Sequence, residues 1–462
     1  MKKAERLVKV IILCLCGYLL YDIYQPQVDY WIKKLKQERP LQTDETAKPQ
    51  AARETQKDTA QAENDEGELP AFYDGRTAGR APKVKSQGQL GTCWAVSTSS
   101  ALEAALLPGE QEEFSPDHIS LQNGYEKTQE DGGAYTMAMA YLAAWKGPVR
   151  EEDDPYGDGV SPEGLLPVKH VQEMQMIQDK DYKRMKEAVY AYGAVQSSIY
   201  MDMQGTQYTS IYYNEANASY CYTGEEAANH DVLVIGWDDN YPAENFVSDV
   251  KEDGAFICQN SWGTSFGEDG IFYVSYEDAV IGENCVTYTR VEPTDNYDKL
   301  YQSDLCGWVG QLGYDSEVCW FANVYTAGET KEQVKAAGFY ATGANTEYEI
   351  LAVREFEGEE SLLGAESIQT GTIQNPGYYT VDLNEPFEVL AGQKFAVVIK
   401  IKTPGESYPV ATEYQADENT RYVDLSDGMG YISLEGYHWT NTEETYGCNL
   451  CLKVYTCRVS ES

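Results

Sequence analysis

Three side chains far apart in the sequence, Cys93, His230 and Asn260, are of the types that together could open an acyl bond. Cys93 stands in Ser86-Gln87-Gly88-Gln89-Leu90-Gly91-Thr92-Cys93-Trp94-Ala95, and no glycine or proline follows until Pro108. The apolar stripe Trp94, Ala95, Leu102, Ala105 and Leu106 predicts a helix over 94–107, with Cys93 in its first turn. There the unpaired backbone N–H groups and the helix dipole favour a thiolate over a thiol. Gly88 and Gly91 let the loop bend back, bringing the Gln87 amide near the sulfur as a donor to a developing oxyanion. A lone cysteine on a helix is usually a small buried hydrophobe. The glutamine, glycine and tryptophan spacing sets this one apart.

The base is found by elimination among four histidines. His118 falls in a helix start, His170 in a polar loop and His438 in the far C-terminal part beside Trp439, whereas His230 opens the strand-like run His230-Asp231-Val232-Leu233-Val234-Ile235-Gly236-Trp237. In Gln259-Asn260-Ser261-Trp262-Gly263-Thr264, the Asn260 side-chain oxygen can orient that imidazole and Trp262 can shield the hydrogen bond from water. Cysteine, histidine and asparagine in this order suggest a thiolate–imidazolium pair with an amide-oriented ring. These three stretches, with Asp131-Gly132-Gly133, resemble the papain-like cysteine peptidases from about residue 69 to about 292.

The resemblance implies an α+β papain-like two-lobe fold, a helical lobe plus an antiparallel β-barrel-like lobe, with the site in the cleft between them. It implies that Gly132 and Gly133 line an extended substrate, with Trp262 also at the substrate side, and that catalysis requires no cofactor. A structural metal is left open. Ala134 replaces an aromatic common in the family, Leu90 stands where many members have a disulfide cysteine, and Asn229 precedes His230 where papain-type enzymes often have aspartate. With Ala228, Ala134 hints at a roomy apolar subsite.

Helices are expected at 114–121, 135–145 and 183–192, and strands at 194–200, 230–237, 255–259 and 271–276. After 292, period-two segments at 317–326, 334–341, 348–354, 378–383 and 394–402 argue an all-β sandwich. The run Trp320-Phe321-Ala322-Asn323-Val324-Tyr325 and the pattern over 386–402 resemble the lectin-like domain of surface peptidases from Gram-positive anaerobes. The expected organisation is an N-terminal signal or signal-anchor segment over 1–32, a disordered polar stalk over 33–68, a peptidase domain over 69–292 and a lectin-like domain over 293–462. Since the last contributes no proposed catalytic residue, residues 69–292 are expected to work alone across a modest interface.

The 462 residues carry a net charge of −40, divided as −1 over 1–68, −22 over 69–292 and −17 over 293–462. Such surfaces repel a phosphate backbone, so nucleic acid is excluded as a partner. Lys2, Lys3 and Arg6 precede a run over 7–21 that is apolar apart from Lys9, with no small-residue cleavage site after it. It reads as an uncleaved signal-anchor, or alternatively a cleaved signal. The expected location is therefore the cell membrane with the catalytic domain outside, the alternative being secreted or cell-wall associated. Expected partners are a protein or peptide substrate, the membrane through the N-terminal segment, and a cell-surface glycan at the C-terminal domain. Of eleven cysteines, Cys448 and Cys451 have half-site spacing but no second pair or histidine cluster. The expected function is an extracellular cysteine endopeptidase. A surface adhesin with an inactive peptidase fold is the alternative from another class, and acyl transfer to amines a third.

Overall fold

The computed structural model describes residues 69–203, 208–426 and 428–459. The signal-anchor and stalk expected over 1–68 lie outside the described residues. Among the described residues, no helix is long and apolar enough to cross a membrane.

The first lobe is built from α1 (Cys93–Leu106), α2 (Pro116–Leu121) and α3 (Tyr135–Ala143). Every residue of α1 from Trp94 to Ala104 is buried, so it is a central helix enclosed on all sides. It ends at Leu107, which is extended because Pro108 follows. Ser115 caps α2 by accepting from the His118 N–H at 3.1 Å, with Pro116 at the first helical position. The third helix stops at Ala143, short of the expected 145, and Trp145 turns the chain at φ 57°.

Strands β1 (Phe72–Asp74), β2 (His170–Gln178), β3 (Val195–Ile199), β4 (Tyr213–Asn214), β5 (Ser219–Tyr220), β6 (His230–Asp238), β7 (Ala255–Gln259), β8 (Ile271–Ser275) and β9 (Asn284–Glu292) form the second lobe, with α4 (Tyr182–Tyr192) packed on it. They lie in the order β2-β9-β3-β6-β7-β8-β5-β4, with β1 on β6. The β5–β8 pair is parallel and the other pairs are antiparallel. The expected barrel-like lobe is corrected here: this sheet does not close on itself. Its β2 edge is taken by a strand of the C-terminal domain instead. His170, expected in a polar loop, is the first residue of β2, buried and stacked on Trp145 at 3.6 Å.

The C-terminal strands are β10 (Lys299–Tyr301), β11 (Gly310–Leu312), β12 (Val318–Thr326), β13 (Glu332–Ala341), β14 (Thr346–Val353), β15 (Glu366–Ile373), β16 (Gly377–Val389), β17 (Lys394–Lys402), β18 (Val410–Tyr414), β19 (Gly430–Ser433), β20 (Thr440–Asn441), β21 (Cys448–Leu450) and β22 (Leu452–Arg458). A six-stranded sheet runs β15-β14-β17-β12-β19-β20, and a three-stranded one β11-β18-β21. Phe395, Val397, Ile399 and Ile401 share one face of β17 and enter a core with Phe321, Phe339 and Phe387. Ala396 and Val398, on the other face, are also buried, under Phe356, Leu362 and Trp439. Alternation along this strand thus reflects two covered faces rather than one.

The remaining strands continue the catalytic sheet. The order β10-β22-β13-β16-β2-β9-β3-β6-β7-β8-β5-β4 crosses from one domain to the other at β16–β2, where Tyr378 pairs with Met174. Tyr340, Tyr378, Ala411 and Cys451 share a core with Trp94, Leu142, Met174 and Tyr288. The modest interface expected from the sequence is therefore replaced by a common sheet and a common core.

Candidate active site

Cys93 is the first residue of α1, as its loop and apolar stripe predict. The helix is anchored from behind: Lys85 pairs with Glu103 at 2.6 Å and donates to Ser99 Oγ at 2.8 Å, while Glu103 accepts from the Phe114 N–H at 2.8 Å. Glu103 is buried and Lys85 half-buried, so removing Lys85 would strand the Glu103 charge. The preceding loop is tied to the asparagine stretch by backbone bonds, Gln87 N–H to Ser261 O at 2.7 Å and Gly263 N–H to Lys85 O at 3.0 Å.

The Gln87 side chain is fixed at both ends of its amide. Its oxygen accepts from Ser261 Oγ at 2.5 Å, and its Nε2 donates to Leu90 O at 2.7 Å. One Nε2 hydrogen is thereby used within the loop, and the amide carries a second. Gly88 makes the bend at φ +61°. Gly91 approaches the Gly132 backbone so closely that an added Cβ would lie 2.9 Å from the Gly132 nitrogen. A Cβ on Gly133 would strike the Trp94 ring at 2.3 Å. The two glycines thus let the 129–134 segment lie against the cysteine loop, leaving the Gly133 backbone exposed.

His230 begins β6, and its Nε2 lies 2.8 Å from Asn260 Oδ1. That oxygen also accepts from the Ser261 N–H at 2.8 Å, which fixes which end of the amide faces the ring. An amide oxygen can only accept, so Nε2 carries the proton and Nδ1 is left unprotonated. Trp262 covers the pair, 5.0 Å from the His230 ring, and is itself stacked on Tyr208 at 5.5 Å.

The backbone N–H groups of Asp231, Trp94 and Cys93 itself face the sulfur. This brings Cys93 beside His230, since Asp231 is the next residue of β6. Burial pushes the Cys93 thiol up to about 12, with the Asp231 carboxylate adding to the rise and these N–H groups opposing it. Burial likewise lowers His230, against the Asn260 bond and the Asp231 charge. Each group alone resists ionisation. A proton moved from Sγ to Nδ1 creates both charges at once, so each offsets the burial of the other.

Two further residues were not legible in the sequence. The Tyr156 hydroxyl donates to Gln87 O at 2.9 Å and also meets Thr92 Oγ1, tying the two ends of the loop that carries Gln87. It comes from a polar, glycine-containing stretch with no periodicity to mark it. Asp231 sat unread inside an apolar strand. His118, by contrast, is occupied with Tyr141 OH at 2.7 Å, and His170 with Asn296 at 2.6 Å, which leaves neither for the cleft. Asn229 uses its amide on the Met201 backbone, accepting at 2.7 Å and donating at 3.2 Å. All nine described cysteines are free, Cys448 and Cys451 included, and no group of metal-ligating side chains occurs among the described residues.

Residues 69–291 match the family model described as papain family cysteine protease, and residues 300–456 match that of a lectin-like domain. Pro-cathepsin H of Mus musculus is 27% identical over 215 residues, covering 45% of this chain and 61% of that protein. Cathepsin K of Gallus gallus is 31% identical over 214 residues, covering 44% of this chain and 57% of that one. The chain thus spans about 60% of the length of such curated relatives. The solved cysteine protease and lectin-like domains of Cwp84, a surface layer associated protein of Clostridium difficile, superpose with a TM-score of 0.73 at 25% identity, covering 85% of this chain and 90% of that one. A second structure, of Cwp84 after propeptide cleavage, gives 0.74 at 26% identity, covering 84% and 99%. Residues 69–291 thus form a papain-like cysteine protease domain, and a lectin-like domain follows it over 300–456.

Proposed function

We propose that this chain is an extracellular endopeptidase in which Cys93 and His230 hydrolyse peptide bonds of protein substrates. The observation that carries the reading is the His230 Nε2–Asn260 Oδ1 bond at 2.8 Å, which leaves Nδ1 as the base beside a cysteine at a helix start. Cys93 Sγ attacks the scissile carbonyl carbon and its proton passes to His230 Nδ1. The oxyanion is held by Gln87 Nε2 and the Cys93 N–H. Collapse breaks the C–N bond, the leaving amine takes the proton from His230, and a thioester remains. Water then attacks the thioester, giving a proton back to His230 and releasing the acid with the thiol. Gly132 and Gly133 offer backbone to the substrate, with Trp262 at the opposite wall.

In this reading residues 1–32 tether the enzyme to the membrane and the lectin-like domain engages a cell-surface glycan. The likeness to a surface layer associated protein supports an external location. Profiling a peptide library with wild type and Cys93→Ala tests the activity: cleavage by the first and none by the second is expected. Binding without cleavage would favour an adhesin, and transfer products on adding an amine would favour acyl transfer.

The coupled pair makes Cys93 reactive where other thiols are protonated. A thiol-directed epoxide should label it fastest at mildly acidic to neutral pH. Labelling that rises only above the ordinary thiol value of about 8.5 would mean His230 does not take the proton. Gln87→Ala should lower turnover about a hundredfold while leaving that labelling largely intact, because its amide contributes in the transition state. Unchanged turnover would remove Gln87 from the oxyanion site.

A further inference from the structure

Asp231 follows His230 on β6 and is buried, at 6% exposure. Its carboxylate accepts from Ser198 Oγ at 2.7 Å and from Gln196 Nε2 at 2.8 Å. Gln196 also donates to Trp94 O at 3.1 Å and accepts from Thr98 Oγ1 at 2.9 Å, both on α1. The Asp231 carbonyl accepts from Ser97 Oγ at 3.1 Å, again on α1. One buried residue therefore joins the nucleophile helix, β3 and the histidine strand. Burial raises the Asp231 carboxyl above its ordinary value, whereas the Ser198 and Gln196 donors on its two oxygens and the His230 charge favour the carboxylate. No lysine or arginine ion pair with it occurs among the described residues. The residue on the other side of His230 is a neutral asparagine whose amide is spent on Met201.

We propose that Asp231 is an ionised positioning residue whose charge, held between α1 and β6, sets the pH window of the Cys93–His230 pair. This deepens the peptidase reading and rests on it. The titratable groups facing the carboxylate are His230 on its own strand, Cys93 on α1, Tyr135 on α3, and Cys285 and Tyr288 on β9. Tyr135, Cys285 and Tyr288 are held neutral by burial, which leaves the pair itself to respond. A fixed negative charge makes the thiol harder to deprotonate and the imidazolium harder to neutralise, so it moves both limbs of a bell-shaped profile upward.

The test is the pH dependence of Cys93 labelling by an epoxysuccinyl amide in the full chain. Asp231→Asn keeps the hydrogen-bonding shape and removes the charge, so both limbs should move down by about one pH unit. Ser198→Ala keeps the charge and withdraws a hydroxyl dipole that offsets it, so both limbs should move up by a few tenths. A folded Asp231→Asn variant labelled more slowly with both limbs unmoved would reduce Asp231 to packing and overturn the proposal. If that variant fails to fold, the Ser198→Ala profile decides, an upward shift supporting the proposal and unmoved limbs overturning it. Wild type labelled with a bell-shaped profile but inert towards peptides would refute the peptidase reading alone, since the limbs still report on Asp231. Absence of labelling in wild type would refute both.

Discussion

Replacing Cys93 by alanine should give a folded protein whose peptide turnover is lower by about a millionfold, the loss seen when a nucleophile working as a unit with its base is removed. The fold should survive because alanine is the best helix former and takes up less space than cysteine at the start of α1. The helix is held there by Lys85, Glu103, Ser97 and the Trp94 carbonyl rather than by the sulfur. His230→Ala should cost about as much, and the double variant hardly more, since the two residues act in one step. Turnover of a peptide substrate set against thermal unfolding checks this. A Cys93→Ala protein that unfolds with wild type and retains more than about a thousandth of its activity would place the nucleophile elsewhere.

The core of the site could be read because its signals are local. Gln87, Gly88, Gly91 and Cys93 lie within seven residues, and each needs its chemical type for a turn, a close approach or a helix start. Asn260 and Trp262 are likewise marked by their neighbours. Tyr156 and Asp231 escaped because what they do depends on partners far away in sequence: Tyr156 reaches Gln87 and Asp231 reaches Ser198 and Gln196. In an apolar strand one acidic residue looks like an interruption. Only the fold reveals that two donors await it.

The same reason hid β2 and the joined sheet. His170 to Gln178 alternates glutamines and glutamate with valine and methionine, which resembles a polar loop. Gln172 is buried nonetheless, because it accepts from the Thr380 hydroxyl at 2.7 Å across the domain boundary. A pairing between residues two hundred positions apart leaves no periodic trace in either segment. Strands such as β6, β7, β12 and β17 were legible one by one, whereas β2, β9, β15 and β22 and the order in which the strands lie side by side were not.

A chain of residues 69–292 should therefore fail to behave as an independent enzyme, contrary to what the sequence suggested. Cutting after 292 removes β16 from β2, with the Met174–Tyr378 register and the Met176 N–H to Pro376 O bond at 2.8 Å. It leaves β2 as a bare edge carrying Val171, Met174 and Met176, a template for pairing with other chains. Arg290 loses both Asp382 at 2.9 Å and Thr380 O at 3.0 Å, and Tyr125 OH loses Cys306 O at 2.6 Å. Each large apolar side chain returned to water costs about 2 kcal/mol, and each kcal/mol lowers the melting temperature of a domain this size by about 2–4 °C. Exposing three or four such side chains should lower it by more than about 10 °C. The damage also reaches the chemistry, because β2 supports β9, β9 supports β3, and β3 supports the strand that begins with His230. Size-exclusion chromatography and thermal melts of the shortened and full chains should show aggregation or early melting for the former, with peptide cleavage lost in step. Adding residues 293–462 as a separate polypeptide during refolding should restore part of both. A shortened chain that is monomeric, melts within a few degrees of the full chain and cleaves peptides at the full rate would mean that the shared sheet contributes little to the site.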